Sequence, residues 1–106
     1  MDGGGLVIND DNTIRTVWRR EGNIYTNKPG NPEELLVKGW QCSIAGKNDR
    51  YFIAYVNDGK VFCREPDGKN TEIGQGGTYP KLIMVDESTV LCAWENRNQI
   101  YKTRLN

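Results

Sequence analysis

The chain has 106 residues, of which 37% are hydrophobic and 26% are charged, and its 14 basic residues balance its 14 acidic ones. This length suits one domain, 1–106, with a modest core. Zero net charge argues against a nucleic acid or a membrane surface as partner, because phosphate binding needs a basic excess. No apolar run is long enough for a transmembrane helix.

The first third of the sequence predicts four short β-strands, at residues 6–8, 14–19, 24–27 and 35–37. Pro29 and Pro32 mark a break before the fourth strand, since proline has no N–H to donate to a sheet. Residues 33–38 are helix-like but too few to form a helix alone. This part of the chain therefore predicts an antiparallel meander.

The rest of the sequence repeats the pattern. Strands are expected at residues 41–44, 51–55, 61–63 and 71–73, and then at 80–85, 90–94 and 100–102. Asp58-Gly59 is the strongest turn signal, because both residues tolerate the positive φ of a type I′ hairpin turn. We predict eleven strands in groups of four, four and three.

An internal repeat organises these strands. In each copy an aromatic residue precedes a β-branched residue by six positions: Trp18 before Ile24, Tyr55 before Val61 and Trp94 before Ile100. The aromatic residues are 37 and then 39 residues apart, a period typical of stacked supersecondary units. The repeats span about 5–39, 40–76 and 77–106, and we expect the three aromatic residues to lie in the core.

A four-stranded antiparallel meander with this period predicts the blades of a β-propeller, the last of them incomplete. The residue before each aromatic is small (Val17, Ala54 and Ala93), which suits sheets packed on both faces. The first repeat departs from the second, with Arg15 in the place of Phe52. We therefore expect the first repeat to border solvent, a site or a partner.

Residues 80–82, 90–95 and 99–101 read Pro-Lys-Leu, Val-Leu-Cys-Ala-Trp-Glu and Gln-Ile-Tyr. They resemble the blades of sialidase-like (BNR-type) β-propellers, and the likeness extends over nearly the whole chain. The Asp-box of that family, Ser-X-Asp-X-Gly-X-Thr-Trp, is absent, and the catalytic roles of the family are not assigned to residues of this chain. The resemblance implies the propeller fold.

Three blades do not close a ring, which needs roughly four to eight. Two copies of the chain would give six blades, the number that sialidase-like rings have. Association would also cover the unpaired sheet edges. We therefore expect a homo-oligomer, with a dimer favoured over three copies. The alternative is that the chain is part of a longer protein.

The three cysteines, Cys42, Cys63 and Cys92, form no CxxC pair and lie inside predicted strands. We expect reduced thiols that pack as small apolar side chains. There is no histidine, and nothing in the sequence indicates a metal or a cofactor. The odd cysteine count and the absence of a signal peptide favour a cytoplasmic location, although a piece of a secreted protein would look the same.

Two sets of residues are candidate ligand-binding sites. Arg15, Arg19 and Arg20 begin the densest polar cluster, and guanidinium groups match carboxylates and sugar hydroxyls. The alternative is a solvated hairpin end with a surface ion pair. Trp40 and Tyr79 lie where one repeat passes to the next. There an aromatic ring would either stack on a sugar or simply plug the gap between blades.

These residues favour a non-catalytic binding module, with carbohydrate as its expected ligand. The competing hypothesis is an enzyme, a part of a sialidase-like glycoside hydrolase with paired carboxylates in one cleft. A scaffold for protein contacts is the third alternative. The sequence shows no nucleophile with its base and no phosphate-binding loop.

Overall fold

The computed structural model describes residues 4–28, 30–86, 89–97 and 99–105. Eleven strands form three antiparallel sheets, and no helix occurs among the described residues. The all-β prediction and the grouping of four, four and three strands are confirmed. In each sheet the strands lie side by side in the order of the chain.

Sheet 1 contains β1 (Gly4–Ile8), β2 (Ile14–Arg20), β3 (Asn23–Lys28) and β4 (Asn31–Lys38). Sheet 2 contains β5 (Trp40–Lys47), β6 (Arg50–Asn57), β7 (Lys60–Arg64) and β8 (Asn70–Gln75). Sheet 3 contains β9 (Thr78–Asp86), β10 (Thr89–Asn96) and β11 (Gln99–Leu105). In the described part of the chain, no helix is long and apolar enough to cross a membrane.

Two-residue turns join several neighbouring strands, and their backbone angles follow the local sequence. Asp58 and Gly59 have φ values of 54° and 72°, and Asn57 pairs with Lys60 across them. Positive φ at both positions is what a type I′ turn requires. The prediction for Asp58-Gly59 is therefore confirmed.

The predicted break at residues 29–32 is too long, because β4 already begins at Asn31 and contains Pro32. The strand pairs only with β3 and is the edge of its sheet. Pro32 also lies at an irregularity of the register, between the pairs Lys28–Asn31 and Thr26–Glu34. At such a place the missing N–H costs no ladder hydrogen bond.

The three sheets stack face to face, with sheet 2 in the middle and the first strands side by side. β1 contacts β5, and β5 contacts β9. We call the face of a sheet that looks toward the preceding sheet its front face, and the opposite face its back face. Each front face carries the aromatic residue of the repeat, so the stack buries two separate cores.

The first core lies between the back face of sheet 1 and the front face of sheet 2. It consists of Val17, Ile24, Cys42, Ile44, Ile53 and Tyr55. The second lies between the back face of sheet 2 and the front face of sheet 3. It consists of Ala45, Phe52, Ala54, Val56, Val61, Cys63, Leu82, Val90, Cys92 and Trp94.

The aromatic residues of the repeat do not all lie in these cores. Tyr55 and Trp94 are buried. Tyr55 packs against Gly39 in the link between sheets 1 and 2, and Trp94 packs against Gly74 of sheet 2; a methyl group at either glycine would overlap the ring. Trp18 is only half-buried, because no other described sheet covers the front face of sheet 1. The prediction of a core position is confirmed for Tyr55 and Trp94 and wrong for Trp18.

The three cysteines are buried and form no disulfide, as predicted. Removal from water raises the pKa of the Cys42 and Cys92 thiols to about 11 and that of Cys63 to about 12. They contribute to the cores as protonated apolar groups.

Candidate functional site

At one pair of facing positions, one core is apolar and the other is not. Between sheets 2 and 3, Phe52 and Val90 are fully buried in the apolar core. The same strand positions between sheets 1 and 2 hold Arg15 and Tyr51, and the guanidinium carbon of Arg15 lies 4.5 Å from the centre of the Tyr51 ring. A charged group cannot be buried in an apolar core without a partner. Sheets 1 and 2 therefore do not close on each other at this end of the seam, the line along which two neighbouring sheets meet.

The opening is a cleft between sheets 1 and 2, and its polar lining comes from four strands and two turns. These side chains, which define the polar cleft, are Arg15, Glu34, Asp49, Tyr51, Arg64 and Glu65. Thr26 and Ile53 form part of its inner wall. A second hollow shares Arg15, Asp49 and Tyr51 and continues toward Asn9, Asn27 and Asn48.

Hydrogen bonds between two turns hold Tyr51 in place. The Tyr51 hydroxyl donates to Oδ1 of Asn9 at 2.6 Å, and the backbone N–H of Asn48 donates to the same oxygen at 2.7 Å. In return, the N–H of Asp10 donates to Oδ1 of Asn48 at 3.1 Å. The β1–β2 turn and the β5–β6 turn are thus fixed to each other, and the outer rim of the polar cleft with them.

Asp10 strengthens this junction by electrostatics. Its carboxylate accepts hydrogen bonds from Asn48 Nδ2 and Lys47 Nζ, both at 3.1 Å. The bond from Asn48, followed by those with Lys47, holds the pKa of Asp10 below its usual value. Asp10 therefore remains ionised as the pH falls into the acidic range.

Several polar groups of the cleft are not used by the fold. Within the described part of the chain, the guanidinium groups of Arg15 and Arg64 form no hydrogen bond or ion pair, and neither does the carboxylate of Asp49. Glu65 is engaged, since it accepts a hydrogen bond from the Thr71 hydroxyl at 2.9 Å. The cleft therefore offers donors and acceptors to a polar molecule.

The structure separates Arg15 from the two arginines grouped with it in the sequence. Arg15 lies near the start of β2, whereas Arg19 and Arg20 lie at its end, about 13–17 Å away along the strand. The guanidinium carbon of Arg19 is 3.9 Å from the centre of the Trp40 ring. Arg20 lies 4.3 Å from the centre of the Tyr25 ring and pairs with Glu33 at an exposed position.

The two aromatic residues at the repeat junctions have different surroundings. Trp40 is partly exposed and is covered on one side by Arg19. Tyr79 is largely exposed, and its N–H donates to Oε1 of Gln41 at 2.8 Å. Both Tyr79 and Gln41 have positive φ, each in a bulge near the start of the first strand of its sheet. Tyr79 borders a small hollow that also includes Gly4 and Lys81.

Sequence reasoning found Arg15 but missed Tyr51, Asp49, Arg64 and Glu65. The sequence held a signal for Tyr51. It stands four residues before Tyr55, and the equivalent position before Trp94 holds the apolar Val90. The other three residues lie near turns, where polar side chains are ordinary. Their convergence depends on how the sheets stack.

No family model matches the chain, and neither does any curated protein or solved structure. Among the described residues, no group of three or more His, Cys, Asp or Glu is placed to hold a metal ion.

Proposed function

We propose that the chain is a β-propeller module of three blades that binds carbohydrate without cleaving it. Three consecutive antiparallel meanders, stacked with their first strands side by side, support the propeller architecture. The likeness of residues 80–101 to sialidase-like blades supports the same fold. Because three blades do not close a ring, copies of the chain complete it by association, two copies giving six blades.

One observation carries the binding function: Arg15 and Tyr51 open a cleft at the place where Phe52 and Val90 seal the next seam. The polar cleft presents two guanidinium groups and several carboxylates. Such groups form directed hydrogen bonds with the hydroxyls and carboxylates of sugars. An apolar ligand would leave these charges desolvated and unpaired.

The contacts of Tyr51 support a role without catalysis. A tyrosine nucleophile needs a base that accepts its proton. The hydroxyl of Tyr51 instead donates to the neutral amide of Asn9, and Arg15 lies over its ring. Both contacts fix the Tyr51 side chain in the wall of the cleft.

Titration with glucuronate and with glucose tests the proposed function, because the two sugars differ in the carboxylate that a guanidinium would bind. We expect glucuronate to shift the amide NMR signals of residues around the polar cleft, with weaker shifts for glucose. The double variant Arg15→Phe with Tyr51→Val copies the residues of the sealed seam. It should fold at least as stably as the wild type and lose the response.

The matched control is Arg20→Gln, which removes an arginine outside the cleft and should leave binding unchanged. If neither sugar shifts any signal, or if the sealed double variant still binds, the proposed function is wrong.

A glycoside hydrolase is the second candidate, because Glu34, Asp49 and Glu65 line the same cleft. Retaining and inverting enzymes need two carboxylates roughly 5–10 Å apart across the sugar. Release of nitrophenol from aryl glucuronides by the wild type, and its loss in Asp49→Asn and Glu65→Gln, would establish the enzyme and contradict a purely binding role. We expect no release.

A further inference from the structure

We propose that the front face of sheet 1 packs against the back face of sheet 3 of a second copy, and that two such contacts close the ring. This interface rests on the proposed propeller and identifies its missing partner. Both faces are at the ends of the stack, and both expose large apolar side chains. They are Leu6, Ile8 and Ile14 on sheet 1 and Ile83 on sheet 3.

Burial at equivalent positions shows that the front face of sheet 1 lacks a neighbour. The position of Leu6 in the first strand corresponds to Ile44 in sheet 2 and Leu82 in sheet 3. Ile44 is 7% exposed and Leu82 is 4% exposed, whereas Leu6 is 59% exposed. The side chain type is the same, and only the covering sheet differs.

The back face of sheet 3 shows the complementary difference. Ile83 corresponds to Ala45 of sheet 2. Ala45 is 4% exposed beneath sheet 3, whereas Ile83 is 55% exposed. A larger apolar side chain at the uncovered position is unfavourable in water and favourable in an interface.

A stacked aromatic pair is covered by a neighbouring sheet in sheet 2 but not in sheet 1. Tyr55 and Phe62 stack at 5.5 Å between ring centres and pack into the core between sheets 1 and 2. Trp18 and Tyr25 form the equivalent stack at 6.0 Å on the front face of sheet 1, where both rings remain half-buried. The pair is already arranged as it would be beneath a preceding sheet.

The chemistry of the two faces identifies the partner as the same chain. Inside the stack, a back face with a small residue (Val17 or Ala54) meets a front face with an aromatic one (Tyr55 or Trp94). Sheet 3 presents Ala93 on its back face, with the exposed Lys81 paired beside it, and sheet 1 presents Trp18 on its front face. A second copy therefore continues the existing pattern in both directions, and a twofold axis makes the two new interfaces equivalent.

Two charged variants test this interface by sedimentation. Leu6→Lys places a charge on the front face of sheet 1, where it would meet Lys81 of the facing sheet, and Ile83→Glu places one on the back face of sheet 3. Both positions are exposed in the single chain, so folding should be preserved. We expect each variant alone to raise the dissociation constant of the dimer about thirtyfold or more, as a buried unpaired charge does at the centre of an interface.

Mixing the two variants is the decisive step. In a mixed pair, the intact back face of the Leu6→Lys chain meets the intact front face of the Ile83→Glu chain. The other interface places glutamate opposite lysine. We therefore expect the equimolar mixture to form dimers at concentrations where each variant is a monomer. The control Lys69→Glu changes charge in an exposed turn and should remain a dimer.

Three results would overturn the interface: a monomeric wild type, a variant that stays dimeric, or a mixture that stays monomeric. If a charged variant does not fold, Leu6→Ser and Ile83→Ser apply the same test more mildly. Glucuronate binding separates this inference from the proposed function, because the polar cleft lies within one chain. If the monomeric variants still bind the sugar, the proposed function stands. The mixing experiment then decides the interface alone.

Discussion

At the scale of the residue, one substitution between repeats decides whether a seam is a core or a cleft. Phe52 fills the space between sheets 2 and 3, whereas Arg15 at the equivalent place keeps its charge near water and stacks on Tyr51. The cost of burying an unpaired guanidinium exceeds the gain from packing its methylene groups. The polar cleft follows from that balance.

The buried thiols give a prediction at the same scale. Burial raises the pKa of Cys63 to about 12 and those of Cys42 and Cys92 to about 11. We expect none of the three thiols to react with Ellman's reagent at pH 8 in the native chain, and all three to react in guanidinium chloride. Rapid reaction of one equivalent in the native chain would contradict the buried, protonated state.

The same shifts give the direction of the pH dependence. An unfolded thiol titrates near 9.0 and a folded one higher, so the stabilisation by protonated thiols is complete below pH 9. It decreases as the pH rises from 9 toward 11–12, because the unfolded state loses protons first. The midpoint of urea unfolding should accordingly fall across this range.

Residue identities in the cleft were only partly predictable from the sequence. Arg15 stands out when the repeats are aligned, because the residues at the same position of the other two repeats, Phe52 and Leu91, are apolar. Arg64 ends β7 of sheet 2 and Glu65 follows it in the β7–β8 turn, whereas Glu34 lies in sheet 1. Their meeting depends on the distance and angle between stacked sheets, which local sequence patterns do not encode.

At the scale of the element, glycines set the distance between neighbouring sheets. A methyl group on Gly77 would lie 2.5 Å from side-chain atoms of both Trp94 and Val61. Trp94 has no room to retreat, because it is buried in the second core. The glycine therefore fixes how closely sheet 3 approaches sheet 2.

Gly77→Ala tests this spacing by urea denaturation. We expect a loss of about 2–3 kcal/mol in the free energy of unfolding, as overpacking of a filled core produces. The matched control is Gly5→Ala, whose methyl group would lie an ordinary 3.4 Å from Ile44 and should have little effect. Equal stability of the two variants would show that the sheets move apart easily.

Strands and turns were the most predictable elements, because local chemistry determines them. Alternating apolar residues and pairs such as Asp58-Gly59 place hairpins without reference to the rest of the chain. The start of β4 was missed, since tolerance of Pro32 depends on the strand being an edge with an irregular register. That property belongs to the sheet and cannot be read from residues 29–32 alone.

At the scale of the whole molecule, three sheets bury two cores and leave two apolar end faces. Sheet 2 is covered on both sides, whereas sheets 1 and 3 each have one face without a described neighbour. A stack of this kind is stable only if its ends are solvated by polar residues or covered. Leu6 and Ile83 show that each end exposes large apolar side chains to water.

The proposal that two copies form one ring is tested most directly by the molar mass of the wild-type chain in solution, measured by light scattering after size-exclusion chromatography. One chain has a mass of 12.0 kDa. We expect a single species of twice that mass, which is a ring of six blades built from two copies. A monomer at micromolar concentration would contradict the closed six-bladed ring, and so would a species of three copies.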